Sequence, residues 1–157
     1  MAHFAEIDDS NIVTMVYVVL NNEITDESGV EQESLGQTFF RNLHNDSKTY
    51  LKCSFNTYGN KYWSDIPNRV EGDQSKKLRG NFPGPGFTYD PENDVFYAPQ
   101  PFNSWILNPT TYVWAAPIVQ PTRNDDDDFD WTWDESVYQG DNSKGWVKVI
   151  EDSSSFS

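Results

Sequence analysis

Three copies of one short pattern fill the second half of this chain, and they constrain its fold more than any other feature. The first reads Phe87-Thr88-Tyr89-Asp90-Pro91, then Val95-Phe96-Tyr97-Ala98-Pro99. The second reads Trp105-Ile106-Leu107-Asn108-Pro109, then Val113-Trp114-Ala115-Ala116-Pro117. A looser third copy sets Trp131-Thr132-Trp133-Asp134-Glu135 against Gly145-Trp146-Val147. Each is an aromatic, alternating run, a turn opened by Asp or Asn (looser in the third), and a second β-rich run, the pattern of a β-hairpin. Where the second run ends in Ala-Pro, the proline has no N–H for the ladder and stops the strand. A repeated hairpin suits a scaffold or a binding surface better than an enzyme.

The first third of the chain reads differently. Phe4 to Ile7 and Ile12 to Leu20 are β-type runs around Asp8-Asn11, which is good turn chemistry, so a hairpin is expected. The second run is apolar on both faces and reads as a central, doubly covered strand. From Glu31 to His44, Leu35, Phe39 and Leu43 recur every four residues with Phe40 beside them. Acidic residues at the start and Arg41 and His44 at the end suit the dipole of one amphipathic helix. Tyr50 to Asn56 reads as a strand, with Cys53 a small buried hydrophobe. Residues 57–86 are rich in Gly, Asn and Pro, and they read as a long irregular loop of the kind that is functional or held by a partner. Within it, Lys76-Lys77-Leu78-Arg79 holds three of the eleven positive charges. The expected fold is mainly β (α+β). An N-terminal hairpin, helix and strand occupy 1–56, the irregular loop 57–86, the aromatic hairpins 87–150, and a serine-rich tail 151–157.

Charge narrows the function. A net charge of -14 disfavours nucleic-acid phosphates and anionic membranes as partners. The longest apolar run, Met15 to Leu20, is too short to span a bilayer, and the start has no signal-peptide pattern, so folding in a cytosol is expected. The two histidines, His3 and His44, sit outside any nucleophile or metal motif, and no phosphate loop, His-Glu-x-x-His or Gly-x-Ser-x-Gly occurs. The Asp125-Asp128 run fails the EF-hand pattern, with Trp131 and Val137 where Gly and Glu belong, and reads as a solvated acidic loop. No enzyme activity, cofactor or metal is therefore expected. The aromatic rows either form the hairpins' shared core or, exposed, dock on a partner protein or stack on sugar rings.

Gly86-Phe87-Thr88-Tyr89-Asp90 and Phe96-Tyr97-Ala98-Pro99-Gln100-Pro101-Phe102-Asn103-Ser104-Trp105 resemble a pattern in small virion-associated proteins of marine tailed phages, especially cyanophages. The opening Met1-Ala2-His3-Phe4-Ala5-Glu6-Ile7-Asp8, the Trp114-Ala115-Ala116-Pro117 segment and the late Trp131-Glu135 are similar in kind. The loop at 57–80 and the tetra-aspartate depart from that pattern. The resemblance implies a non-enzymatic structural protein in the virion, assembled in the host cytoplasm and present in many copies. It would be a capsid decoration or a tail or fibre accessory, bound to capsid, tail or fibre proteins. Phe82, Trp105, Trp114, Trp131 and Trp133 are the expected partner contacts. The alternatives are a glycan-binding module for host recognition and a tail-fibre assembly chaperone.

Overall fold

The first hairpin forms around its Asp turn. In the computed structural model, which describes residues 1–150, β1 (Ala2–Ile7) and β2 (Val13–Val19) pair antiparallel. Asp8 Oδ1 accepts the N–H groups of Ser10 and Ile12 at 2.8 and 3.0 Å, and Asn11 takes a left-handed φ of 63°. The serine-rich tail, 151–157, lies outside the described residues.

Helix α1 (Glu33–His44) follows, then β3 (Thr49–Cys53), which pairs with the free side of β1, so the sheet order is β2-β1-β3. The doubly covered strand is therefore β1. The expectation for β2 is corrected: it lies at the sheet edge, with Val18 51% exposed. Alternation marks an apolar strand but does not say which of two such strands gains the second neighbour.

The inward stripe of α1 is also rotated from the expected one. Gly36 and Phe40 are buried, while Leu43 is 63% exposed and Leu35 lies at the surface. The cause is Gly36: its bare Cα lets the Phe4 ring lie where a Cβ would sit. A glycine carries no weight in an apolar count, so the stripe it opens is invisible there.

Two cores result. On the helix side, Phe4, Phe40, Tyr50 and Ile24 pack with Tyr17 and Phe39. On the other side, Ala5, Ile7, Val13, Cys53 and Phe96 pack with Phe82, Phe87 and Tyr89. Cys53 is buried as expected, and burial pushes its thiol up to about 12.

Residues 57–86 are more regular than expected. β4 (Thr57–Tyr58), β5 (Lys61–Asp65) and β6 (Val70–Glu71) form a three-stranded antiparallel sheet. The link between β4 and β5 is Gly59-Asn60, both at positive φ, 61° and 60°. That is the two-residue hairpin turn matching right-handed strand twist, so the glycine and asparagine that suggested irregularity are turn residues. The stretch after β6 is tied in by buried Asn81. Its Oδ1 accepts Gly59 N–H at 2.8 Å, and its Nδ2 donates to the Phe96 and Tyr112 carbonyls at 3.0 and 3.2 Å.

All three sequence repeats are hairpins. β7 (Thr88–Asp90) pairs with β8 (Val95–Tyr97), β9 (Ile106–Leu107) with β10 (Trp114–Ala115), and β11 (Phe129–Trp133) with β12 (Trp146–Ile150). Strands β8 and β10 stop before their prolines. The third link contains a short helix, α2 (Glu135–Gly140), capped by Asp134, whose Oδ1 accepts the N–H groups of Ser136 and Val137. The protein is thus mainly β. The described residues cluster into two compact units: Met1–Pro99 with Asn108–Val113, and Gln100–Leu107 with residues 114–150. The first repeat belongs to the first unit, where β8 supplies Phe96 to the core.

Candidate functional site

Three of the five expected contact residues lie in hairpin strands, with Trp105 just before β9, and Trp133 is the innermost. It is 6% exposed, with Trp105 and Trp146 ring centroids at 6.2 and 5.3 Å. Gly145 again makes room, since a Cβ there would overlap the Trp133 ring. The indole N–H donates to Glu135 Oε2 at 2.8 Å, and the same carboxylate accepts Ser104 N–H at 3.0 Å and Ser104 Oγ–H at 2.6 Å. Trp133 is thus part of the buried core of its unit. Trp105 and Trp131 are half-buried, and their indole N–H groups are buried with no hydrogen-bond partner among the described residues. Lys148 Nζ lies 5.5 Å from the Trp131 ring centroid. Trp114 is half-buried in β10.

Phe82 belongs to an aromatic patch in the first unit. Its ring lies edge-on to His3 at 5.2 Å and to Phe55 at 5.5 Å, and Phe55 is 60% exposed. Val18 is the cross-strand partner of His3, so it extends the patch along the β2 edge. Met1, His3 and Phe55 also line a cleft of about 250 Å³ beside Lys52 and Lys76. Burial holds the His3 imidazole below its ordinary pKa, which favours the uncharged ring within the patch.

The helix side of the sheet holds the densest polar chemistry, and no sequence motif marks it. Glu6, buried in β1, offers Oε1 to Lys48 Nζ at 2.9 Å and Thr14 Oγ1 at 2.8 Å. The Tyr17 and Tyr50 hydroxyls lie 3.2 and 3.3 Å from Oε2. The Tyr50 hydroxyl also lies 2.8 Å from both Asp46 Oδ2 and His44 Nδ1. A phenol has one proton to give. With that proton on Asp46, His44 donates through Nδ1–H. His44 thus binds a side chain from the end of α1. Burial raises the Tyr50 pKa, and the Asp46 and Glu6 carboxylates add to the rise, so the phenol stays protonated. Burial also works against the Glu6 carboxylate, but Lys48, Thr14 and Tyr17 outweigh it and hold its pKa below the ordinary glutamate range.

Among the described residues, Glu6, His44 and Asp46 are the group whose ligand atoms gather within 4.8 Å. Their partners already occupy the space a cation would take, with the Tyr50 hydroxyl against all three and Lys48 neutralising Glu6. The arrangement is a closed hydrogen-bond network that pins α1 to the sheet. The Asp125-Asp128 run is turned mostly to solvent, with Asp127 Oδ2 accepting Asn124 N–H at 2.9 Å.

The basic cluster also resolves into structure. Arg79 donates from Nη1 to Glu33 Oε1 at 2.8 Å and to the Lys52 carbonyl at 2.8 Å, and from Nε to Asp94 Oδ1 at 2.9 Å. Glu33 opens α1, so this arginine fastens the helix N-terminus to β3 and to the β7–β8 turn. Comparison with known proteins adds nothing to these observations: no family model matches the chain, and neither does a curated protein or a solved structure.

Proposed function

We propose that this chain is a non-enzymatic structural protein of a tailed-phage virion, a capsid decoration or a tail or fibre accessory, and that it acts by adhesion to another protein. The observation that carries this reading is the His3–Phe55–Phe82 patch with Val18 at the β2 edge. Phe55, 60% exposed and braced by the half-buried rings of His3 and Phe82, gives a ready apolar anchor, and burying such an anchor in an interface typically contributes ~2 kcal/mol or more. The polar network and Arg79 serve the fold, whereas Phe55 and Val18 stay largely exposed beside rings that the fold holds in place. The virion setting rests on the resemblance of the N-terminal residues and of the Phe96–Trp105 segment. Among the described residues no helix is long and apolar enough to cross a bilayer.

The test is quantitative mass spectrometry of purified particles, with copies counted against the major capsid protein. A ratio near one per shell subunit means decoration, and a few to a few dozen copies mean tail or fibre. In particles carrying Phe55→Ser with Val18→Lys, the copy number should fall while the free protein keeps its unfolding midpoint. Absence from mature particles rejects the structural role and favours an assembly chaperone.

A further inference from the structure

The β4–β5–β6 sheet carries a groove built from residues separate from the patch. Tyr58 pairs with Lys61 in the ladder, and Trp63 lies two residues beyond Lys61, so all three share one face. Tyr58, Trp63, Ile66 and Arg69 enclose about 220 Å³. Past Tyr58, Trp63 and Arg69 the groove continues for about 290 Å³ between Lys61, Thr111 and Val113. The Trp63 indole N–H donates to the Tyr58 carbonyl at 2.8 Å, which fixes the ring and uses its only polar atom. What Trp63 offers a ligand is therefore a flat aromatic surface.

The charge at this groove is selective. Lys61 is paired with Glu71. Arg69 sits at a left-handed φ of 53° in the β5–β6 turn, is exposed, and has no carboxylate partner among the described residues. An uncommitted guanidinium beside two aromatic rings calls for a ligand with a flat apolar face and a localised negative charge. A sugar ring bearing a carboxylate has both. Its C–H face stacks on an aromatic ring, and its carboxylate takes the arginine fork. The two adjoining compartments suit consecutive rings of one chain. A polyanionic peptide carries the charge but has no flat C–H face to lie on Trp63 and Tyr58.

We propose that the Tyr58–Trp63–Arg69 groove binds an acidic, uronate-bearing saccharide, with sugar rings on Trp63 and Tyr58 and a carboxylate on Arg69. This goes beyond the adhesion reading and does not depend on it. Isothermal titration of the full chain with tri-galacturonate tests it, alongside the neutral methyl ester and hexaglutamate. Tri-galacturonate should bind, and the methyl ester should bind more weakly. Trp63→Ala should weaken binding about tenfold, as loss of one stacking platform implies. Because Trp63→Ala can disturb the sheet, Arg69→Gln at the exposed turn carries the decision. It should weaken binding about fivefold with an unchanged circular dichroism spectrum, and Val18→Lys should leave binding intact. No heat with tri-galacturonate, unaltered affinity in Arg69→Gln, or equal affinity for hexaglutamate overturns the proposal, the last by assigning the groove to acidic peptides.

Discussion

His44 Nδ1 and the Tyr50 hydroxyl lie 2.8 Å apart, and that contact joins the last residue of α1 to β3. The same hydroxyl meets Asp46, so one oxygen organises two charged or polar groups and approaches a third, Glu6. Tyr50→Phe keeps the ring in its stack with Phe40 at 5.4 Å but strips out that oxygen. A buried group left unsatisfied costs ~1–3 kcal/mol, and because His44 and Asp46 are half-buried the loss belongs at the lower end of that range. Denaturant unfolding of Tyr50→Phe should show a loss of that size with an unchanged slope. Tyr17→Phe, which loses a single 3.2 Å bond to Glu6, should lose less. Equal effects would mean that the oxygen does not organise the network.

Acid should weaken the first unit through Glu6. Its folded pKa is depressed, so the folded state holds the proton less tightly than the unfolded chain. The stabilisation is complete above the unfolded value, roughly pH 4.3 for a glutamate. It is lost as pH falls through the lower folded value. Asp26 and Asp90, which accept backbone N–H and side-chain amide bonds, have lowered pKa values and act with the same sign. Urea midpoints between pH 7 and pH 3 should fall at the acid end, and Glu6→Gln should make that limb shallower. An identical acid limb in the variant would remove Glu6 from the explanation.

Gly145 is held open for Trp133, since an added Cβ would overlap the far edge of the indole. Its φ is not in the left-handed region, so alanine tests steric room alone. Overpacking of this kind typically costs ~1–3 kcal/mol. Gly145→Ala should lower the melting temperature and change the near-ultraviolet dichroism, where stacked tryptophans dominate. Gly140→Ala, with open space around its Cβ position, is the control and should do neither.

The hairpins were legible because their signals are local: alternation, an Asx turn and a strand-stopping proline all sit within about a dozen residues. The β4–β5 turn is equally local, but β4 is only two residues long and gives Gly59-Asn60 no alternating run on its first side. What alternation did not show is neighbourhood. It could not place β1 rather than β2 at the sheet centre, and it missed the stripe that Gly36 opens on α1. The Glu6–Tyr50 network was illegible for the same reason. Asp46, Lys48 and Tyr50 share a parity that hints at one face, but nothing near Glu6 announces partners some forty residues away in sequence. Among the aromatic residues, sequence marked Phe82 as a surface candidate but gave no sign of its neighbours, His3 and Phe55.

Arg79 provides the last test, because its role depends on geometry rather than on charge count. Its side chain is 11% exposed, and its fork holds Glu33 while Nε holds Asp94. Lysine can keep one of these bonds but not the planar set. Arg79→Lys should therefore lose most of what Arg79→Met loses. Removing one partner of a buried pair can cost ~3–5 kcal/mol. Glu33 and Asp94 both reach water, so a loss of about 1–3 kcal/mol is expected here. In the cycle of Arg79→Met, Glu33→Gln and the double variant, the double should be more stable than the two single losses add up to, because Glu33 no longer lacks its counter-charge. Additive losses would mean that Arg79 stabilises the fold through packing and the Lys52 carbonyl, with the helix N-terminus held by other contacts.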